Sequence, residues 1–143
     1  MQPTRFALLK PSTRTPFHID FDWWQQTEID WHVHLRSLLC DTHQQLFAEL
    51  ETGQLIDHVD PVTAEVRQID GLQHVIISHC AQQPEFLDIH TALVDAVFKV
   101  LLANGNSPMN AEELGAMLGR SPDIILKTLS GARVYKGIRQ VLA

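Results

Sequence analysis

The chain has 143 residues, 45% of them hydrophobic and 20% charged, which suits one domain with a real core, or two small lobes sharing one, and excludes a disordered chain. No apolar run reaches the roughly 18–20 residues of a membrane span. Residues 1–10 have too short an apolar core for a signal peptide, so a cytoplasmic protein is expected.

The net charge of −6, with histidine neutral, argues mildly against an unaided nucleic-acid binder, but the charge is unevenly spread. Residues 1–84 carry five basic and eleven acidic side chains, and residues 85–143 carry six of each. After Gly119, Arg120, Lys127, Arg133, Lys136 and Arg139 face Asp123 alone, so this end is locally basic. Local positive charge is what a phosphate-facing surface needs, although a solvated helix face with a basic tail has the same composition.

Residues 1–20, with Pro3, Pro11 and Pro16, read as an extended arm, and Phe6, Phe17 and Phe21 suggest that the arm lies along something apolar. Residues 22–50 read as helical. Trp23, Trp24, Ile29 or Trp31, Leu35, Leu38 and Leu39 recur at helical spacing. A second helix over 41–50, capped by Asp41 or Thr42 and ended by Gly53, would align Leu46, Phe47 and Leu50. The period then changes. Residues 55–59 read as a strand, Asp60-Pro61-Val62-Thr63 as a turn and 65–69 as a half-buried strand. Asp70-Gly71 is a hairpin signal, and 72–78, centred on Val75-Ile76-Ile77, then reads as a third, most buried strand ending at His79-Cys80. A small antiparallel β-meander is therefore expected.

Residues 84–104 read as one helix with Pro84 at its start and an apolar face of Phe86, Leu87, Leu93, Val94, Val97, Phe98, Leu101 and Leu102. Gly105 suits its left-handed cap. A short helix over 111–118 follows, with Asn110 as N-cap and Glu113 in capping-box position. Gly119-Arg120-Ser121-Pro122 is a sharp turn, and Ser121 caps a second short helix over 122–129 that stops at Ser130-Gly131. Residues 133–142 read as short and strand-like, with Lys136-Gly137 at their middle.

Two short helices across a tight Gly-containing turn, with Leu114, Leu118, Ile125 and Leu129 between them, have the form of a helix-turn-helix. The run Leu118-Gly119-Arg120-Ser121-Pro122 resembles the turn of bacterial winged-helix regulators, and the resemblance covers about residues 85–143. It implies a three-helix winged module whose second short helix would enter the major groove, with a wing near 133–139. Arg120, Ser121, Lys127, Thr128, Arg133, Lys136 and Arg139 are the implied DNA-contacting residues. The whole chain is similar to a small bacterial protein type in which a Cys-x-x-His segment precedes such a module. The expected fold class is α+β, with an N-terminal lobe over 1–83 and the winged module over 84–143.

Cys40-Asp41-Thr42-His43 places a thiol and an imidazole three residues apart, and His79-Cys80 forms a distant second pair, a donor set that suits tetrahedral Zn²⁺. Cys40, His43 and Cys80 would supply three ligands. The fourth is either His79, whose side chain points away from that of Cys80 if the strand is regular, or His90, which the expected long helix turns inward and which is preferred. Two buried thiols acting as small hydrophobes, or one disulfide in a secreted chain, are the competing readings. His18, His32, His34, His58 and His74 are scattered and read as surface or partly buried side chains.

No nucleophile elbow, phosphate loop, dinucleotide fingerprint or His-Glu-x-x-His pair is present, so an enzyme is not expected. The expected function is a DNA-binding transcriptional regulator with a structural Zn²⁺ site and duplex DNA as partner. The alternative is a winged-helix module that binds a protein or forms a homodimer.

Overall fold

The computed structural model describes residues 10–27, 31–46, 55–59, 62–88 and 90–141. Phe6, Ile29, Phe47, Leu50, Gly53, Asp60, Pro61 and Leu142, to which the sequence reading gives roles, lie outside the described residues. In chain order the elements are β1 (Phe17–Ile19), α1 (Phe21–Gln26), α2 (Trp31–Ser37), α3 (Asp41–Leu46), β2 (Leu55–Val59), β3 (Val66–Asp70), α4 (Gly71–Ser78), α5 (Leu93–Ala103), α6 (Ala111–Leu118), α7 (Pro122–Leu129) and β4 (Ile138–Gln140). Single 3-10 turns lie at Cys80–Gln82 and Pro84–Phe86. The fold is α+β, with seven helices and two small antiparallel sheets among the described residues.

The proline-containing arm stays extended and joins a sheet at the far end of the chain. β1 pairs antiparallel with β4, placing Phe17 opposite Gln140 and Ile19 opposite Ile138. On its other edge, Phe17 exchanges two backbone hydrogen bonds with Met109, at 2.8 and 3.0 Å. The Asn106 side chain completes the pairing, accepting from the Ile19 amide at 2.7 Å and donating to its carbonyl at 2.9 Å. Alternation along β1 sends Phe17 and Ile19 into the core. The arm thus crosses the boundary expected at residue 84, and one core of side chains, with Val97, Phe98, Leu101 and Leu102 of α5 fully buried in it, runs through both halves.

Trp24 of α1 makes the second tie between the two ends. Its indole Nε1 donates to the Lys136 carbonyl at 3.0 Å. The ring lies so close to Gly137 that a Cβ there would sit 2.9 Å from Nε1, and Gly137 is also left-handed at φ +75°, so both space and backbone demand glycine. Trp24 stacks on His34 at 5.0 Å between ring centres, and His34 meets Phe98 edge-on at 4.9 Å. His34 Nε2 is buried with no hydrogen-bond partner among the described residues. Burial, helped by the Lys136 charge and opposed by Asp95, pushes the His34 pKa down to about 4, so the ring is neutral at neutral pH.

Three expectations need correction. The first is the third strand of the meander: residues 71–78 are helix α4, and β2 and β3 form a two-stranded hairpin that runs directly into it. A short apolar run fits a buried strand or a buried helix equally by pattern. Here Leu72 and Ile76, one helical turn apart, are buried together, and α4 packs on α2 and α5. The second is the long helix expected over 84–104. It begins only at Leu93. The Asp88 carboxylate accepts from the His90 amide and the Thr91 hydroxyl, and such local bonds compete with helix formation. The third is the expected strand-like run through 133–142. Among its described residues only Ile138–Gln140 is strand, preceded by a turn through Lys136 and Gly137, and its partner is β1.

The two short helices follow the sequence closely. Asn110 and Glu113 form the reciprocal capping box on α6, Gly119 closes it at φ +66°, and Ser121 caps α7 with Pro122 at its first position. Gly115 lets α6 approach the turn, since a Cβ there would lie 2.6 Å from the Arg120 carbonyl and 3.1 Å from Pro122 Cγ. Gly115→Ala therefore overpacks this contact and should cost about 1–3 kcal/mol, read as a lower Tm or denaturant midpoint. Gly131→Ala, where the nearest atom is 4.0 Å away, is the control and should change stability little. Equal stability of the two variants would contradict the close approach.

Candidate metal centre

Cys40 stands at the junction of α2 and α3. Its carbonyl accepts the Gln44 amide at 2.8 Å, which starts α3 and puts His43, three residues on, over the same face as the thiol. Cys80 comes from the other side, in the 3-10 turn after α4, and is 1% exposed. His79 joins the two, with backbone angles of φ −134° and ψ −61°. This break between helix and turn lets neighbouring side chains converge, as a regular strand would not.

The four donors meet closely. Cys40 Sγ lies 3.1 Å from His43 Nδ1 and 3.6 Å from His79 Nδ1, and Cys80 Sγ lies 3.6 Å from His43 Nδ1. The two imidazoles stand edge to face with centres 4.3 Å apart. All four ligand atoms fall within 4.8 Å of one another, so Cys40, His43, His79 and Cys80 form a group able to hold a metal ion. The two cysteines are free thiols, with no disulfide between them. A cavity of about 170 Å³ is lined in part by both cysteines and reaches Phe86 and Lys99, whose ammonium donates to the Phe86 carbonyl at 2.8 Å.

His90, the preferred fourth ligand, is not part of this group. It is exposed in the turn before α5, with its amide held by Asp88, because the helix that would have turned it inward starts three residues later. His79 takes the place. Its position could have been read from sequence had 72–79 been taken as helical, since Leu72, Val75, Ile76 and His79 repeat every three or four residues.

The residues proposed to touch DNA are spread over the turn, α7 and the β4 end, and several are engaged within the chain. Arg120 donates to the Thr91 carbonyl at 3.2 Å, Lys136 pairs with Asp95 at 3.0 Å, and Arg139 pairs with Asp20 at 3.1 Å. The Ser121 hydroxyl caps α7, and the Thr128 hydroxyl donates back to the Ile124 carbonyl. Lys127 is exposed, and Arg133, also exposed, lies over the Tyr135 ring at 5.3 Å. No helix among the described residues is long and apolar enough to cross a membrane.

No protein-family model, curated protein or solved structure matches the chain. The function must be read from the site.

Burial raises the Cys80 thiol to about 11, so at neutral pH a metal ion can bind only by displacing its proton. Burial and the neighbouring His79 lower the His43 pKa, so that ring is already a neutral donor. Metal affinity should therefore rise with pH between pH 6 and 8, by about tenfold per pH unit for each thiol proton displaced, measured by Co²⁺ titration of the thiolate absorption in the native chain and in Cys80→Ala, which should lose one such factor. The same pH dependence in both would show that the Cys80 thiolate is not a ligand.

Proposed function

We propose that this chain is a zinc-stabilised helix-turn-helix regulator that binds duplex DNA. The observation that carries the zinc half is the convergence of two thiols and two imidazoles. Zn–S and Zn–N bonds of about 2.3 and 2.0–2.1 Å in a tetrahedron give ligand–ligand edges of roughly 3.3–3.8 Å. Two of the sulfur–nitrogen separations, both 3.6 Å, match those edges, and the third, 3.1 Å between Cys40 Sγ and His43 Nδ1, would have to open by a few tenths of an ångström around an ion. Two soft thiolates exclude Mg²⁺ and Ca²⁺ as preferred occupants, and a closed four-ligand set suits a structural ion.

The DNA half rests on the resemblance of the α6–α7 pair to winged-helix regulators and on the basic residues after Gly119. With Arg120, Lys136 and Arg139 held internally, Lys127 and Arg133 are the cations of this end without an oxygen partner among the described residues. The phosphate footprint is then small. A second reading, docking of a protein on the same face, is favoured by Met117 and Ile124, which are 66% and 59% exposed on either side of the turn.

Salt-dependent binding to duplex DNA separates the two readings. With about two phosphates neutralised, log K should fall with log salt at a slope near −2, and Lys127→Ala with Arg133→Ala should remove most of that slope. No duplex binding at low salt contradicts the DNA half and leaves protein docking. Elemental analysis of freshly purified protein should give one zinc per chain, and a value well below half an equivalent contradicts the zinc half.

A further inference from the structure

Cys40 and Cys80 are the chain's only cysteines, and their sulfurs belong to a group whose ligand atoms all lie within 4.8 Å of one another. A disulfide needs its sulfurs at about 2.05 Å, so an approach of at most about 3 Å separates the two thiols from a bond. The cavity of about 170 Å³ beside them touches both residues, and it has room for a molecule little larger than water, whose share of liquid volume is about 30 Å³. Cys80 is sealed from bulk solvent and Cys40 is half-buried, so an oxidant from bulk solvent meets Cys40 first.

We propose that the centre is a peroxide-responsive switch, in which oxidation to a Cys40–Cys80 disulfide expels the metal; this rests on the zinc reading above. The Cys40 thiolate attacks one oxygen of hydrogen peroxide, the O–O bond breaks, and hydroxide leaves and takes a solvent proton to become water. Cys40 is left as a sulfenic acid. The Cys80 thiolate then attacks the Cys40 sulfur, the S–S bond forms, the S–O bond breaks, and the second hydroxide leaves as water with a second solvent proton. The two thiolates lose two electrons and peroxide gains two. With both thiolates consumed, His43 and His79 alone cannot retain Zn²⁺, and the ion leaves. In the reduced state the ion holds α3 through His43 as well as through Cys40, which stands just before it, whereas the oxidised state keeps only the Cys40 link.

The test uses the full chain as purified, with zinc content measured first. One equivalent of hydrogen peroxide is added, zinc release is followed with a chromogenic chelator, and intact mass is taken without reductant. The expected result is the loss of two hydrogens per chain, one zinc released per disulfide, and reversal of both by dithiothreitol with added Zn²⁺. Protein that carries no zinc from the outset overturns the zinc reading and the switch together. Zinc-loaded protein that keeps its metal and mass under excess peroxide overturns the switch alone and leaves the zinc centre standing. Zinc loss with added oxygens in place of a disulfide, or with a disulfide-linked dimer, overturns it in the same way.

Discussion

The chain closes on itself through the strand Phe17–Ile19. Phe17 bonds to Met109 on one edge, all three residues pair with Ile138–Gln140 on the other, and Asn106 ties both polar groups of Ile19. The alternation of that strand drives Phe17 and Ile19 into the side-chain core that α5, α6 and α7 share. Without it, the backbone groups of Met109 and β4 would lose their partners and the core would open on one side, at a cost that follows both unmade hydrogen bonds and lost burial. Trp24 reinforces the closure from α1 by sitting on the Lys136-Gly137 turn. The basic C-terminal end is therefore built on residues from the start of the chain.

The candidate metal centre draws on other elements, α2, α3 and α4, and would solve a different problem. α2, α3 and α4 are short, at six to eight residues each, and helices of that length are marginal without tertiary support. Cys40 and His43 mark the α2–α3 corner, while His79 and Cys80 mark the end of α4. An ion bound by all four fixes that corner to that helix end. A structural zinc is worth on the order of 10–16 kcal/mol in apparent folding free energy, comparable with the 5–15 kcal/mol that stabilises a whole domain. On the zinc reading, the order of these short helices depends on the ion as much as on burial.

Local rules with an unambiguous chemical basis were readable from sequence. Asn110 with Glu113, Ser121 with Pro122, and Gly119 at the turn each behave as their side chains require, because capping is decided within a few residues. The pairing of β2 with β3 followed from alternation in the same way. Two features were not legible. The run 72–78 is apolar at nearly every position, so its pattern did not choose between strand and helix, and packing on α2 and α5 decided. That ambiguity, together with the helix expected over 84–104 that would have turned His90 inward, put His90 ahead of His79, since a strand turns His79 away from Cys80 and the break after a helix does not. The partner of β4 was equally hidden, because the residues that pair are separated by almost the whole chain. The Cys40, His43 and Cys80 set survived because it rests on donor chemistry and spacing.

The central claim is that two sulfurs and two nitrogens hold one zinc. X-ray absorption at the zinc K-edge of the purified chain tests it most directly. The account predicts a four-coordinate ion with two sulfurs at about 2.3 Å and two imidazole nitrogens at about 2.0–2.1 Å. A shell dominated by oxygen, one with a single sulfur, or a six-coordinate ion would contradict it.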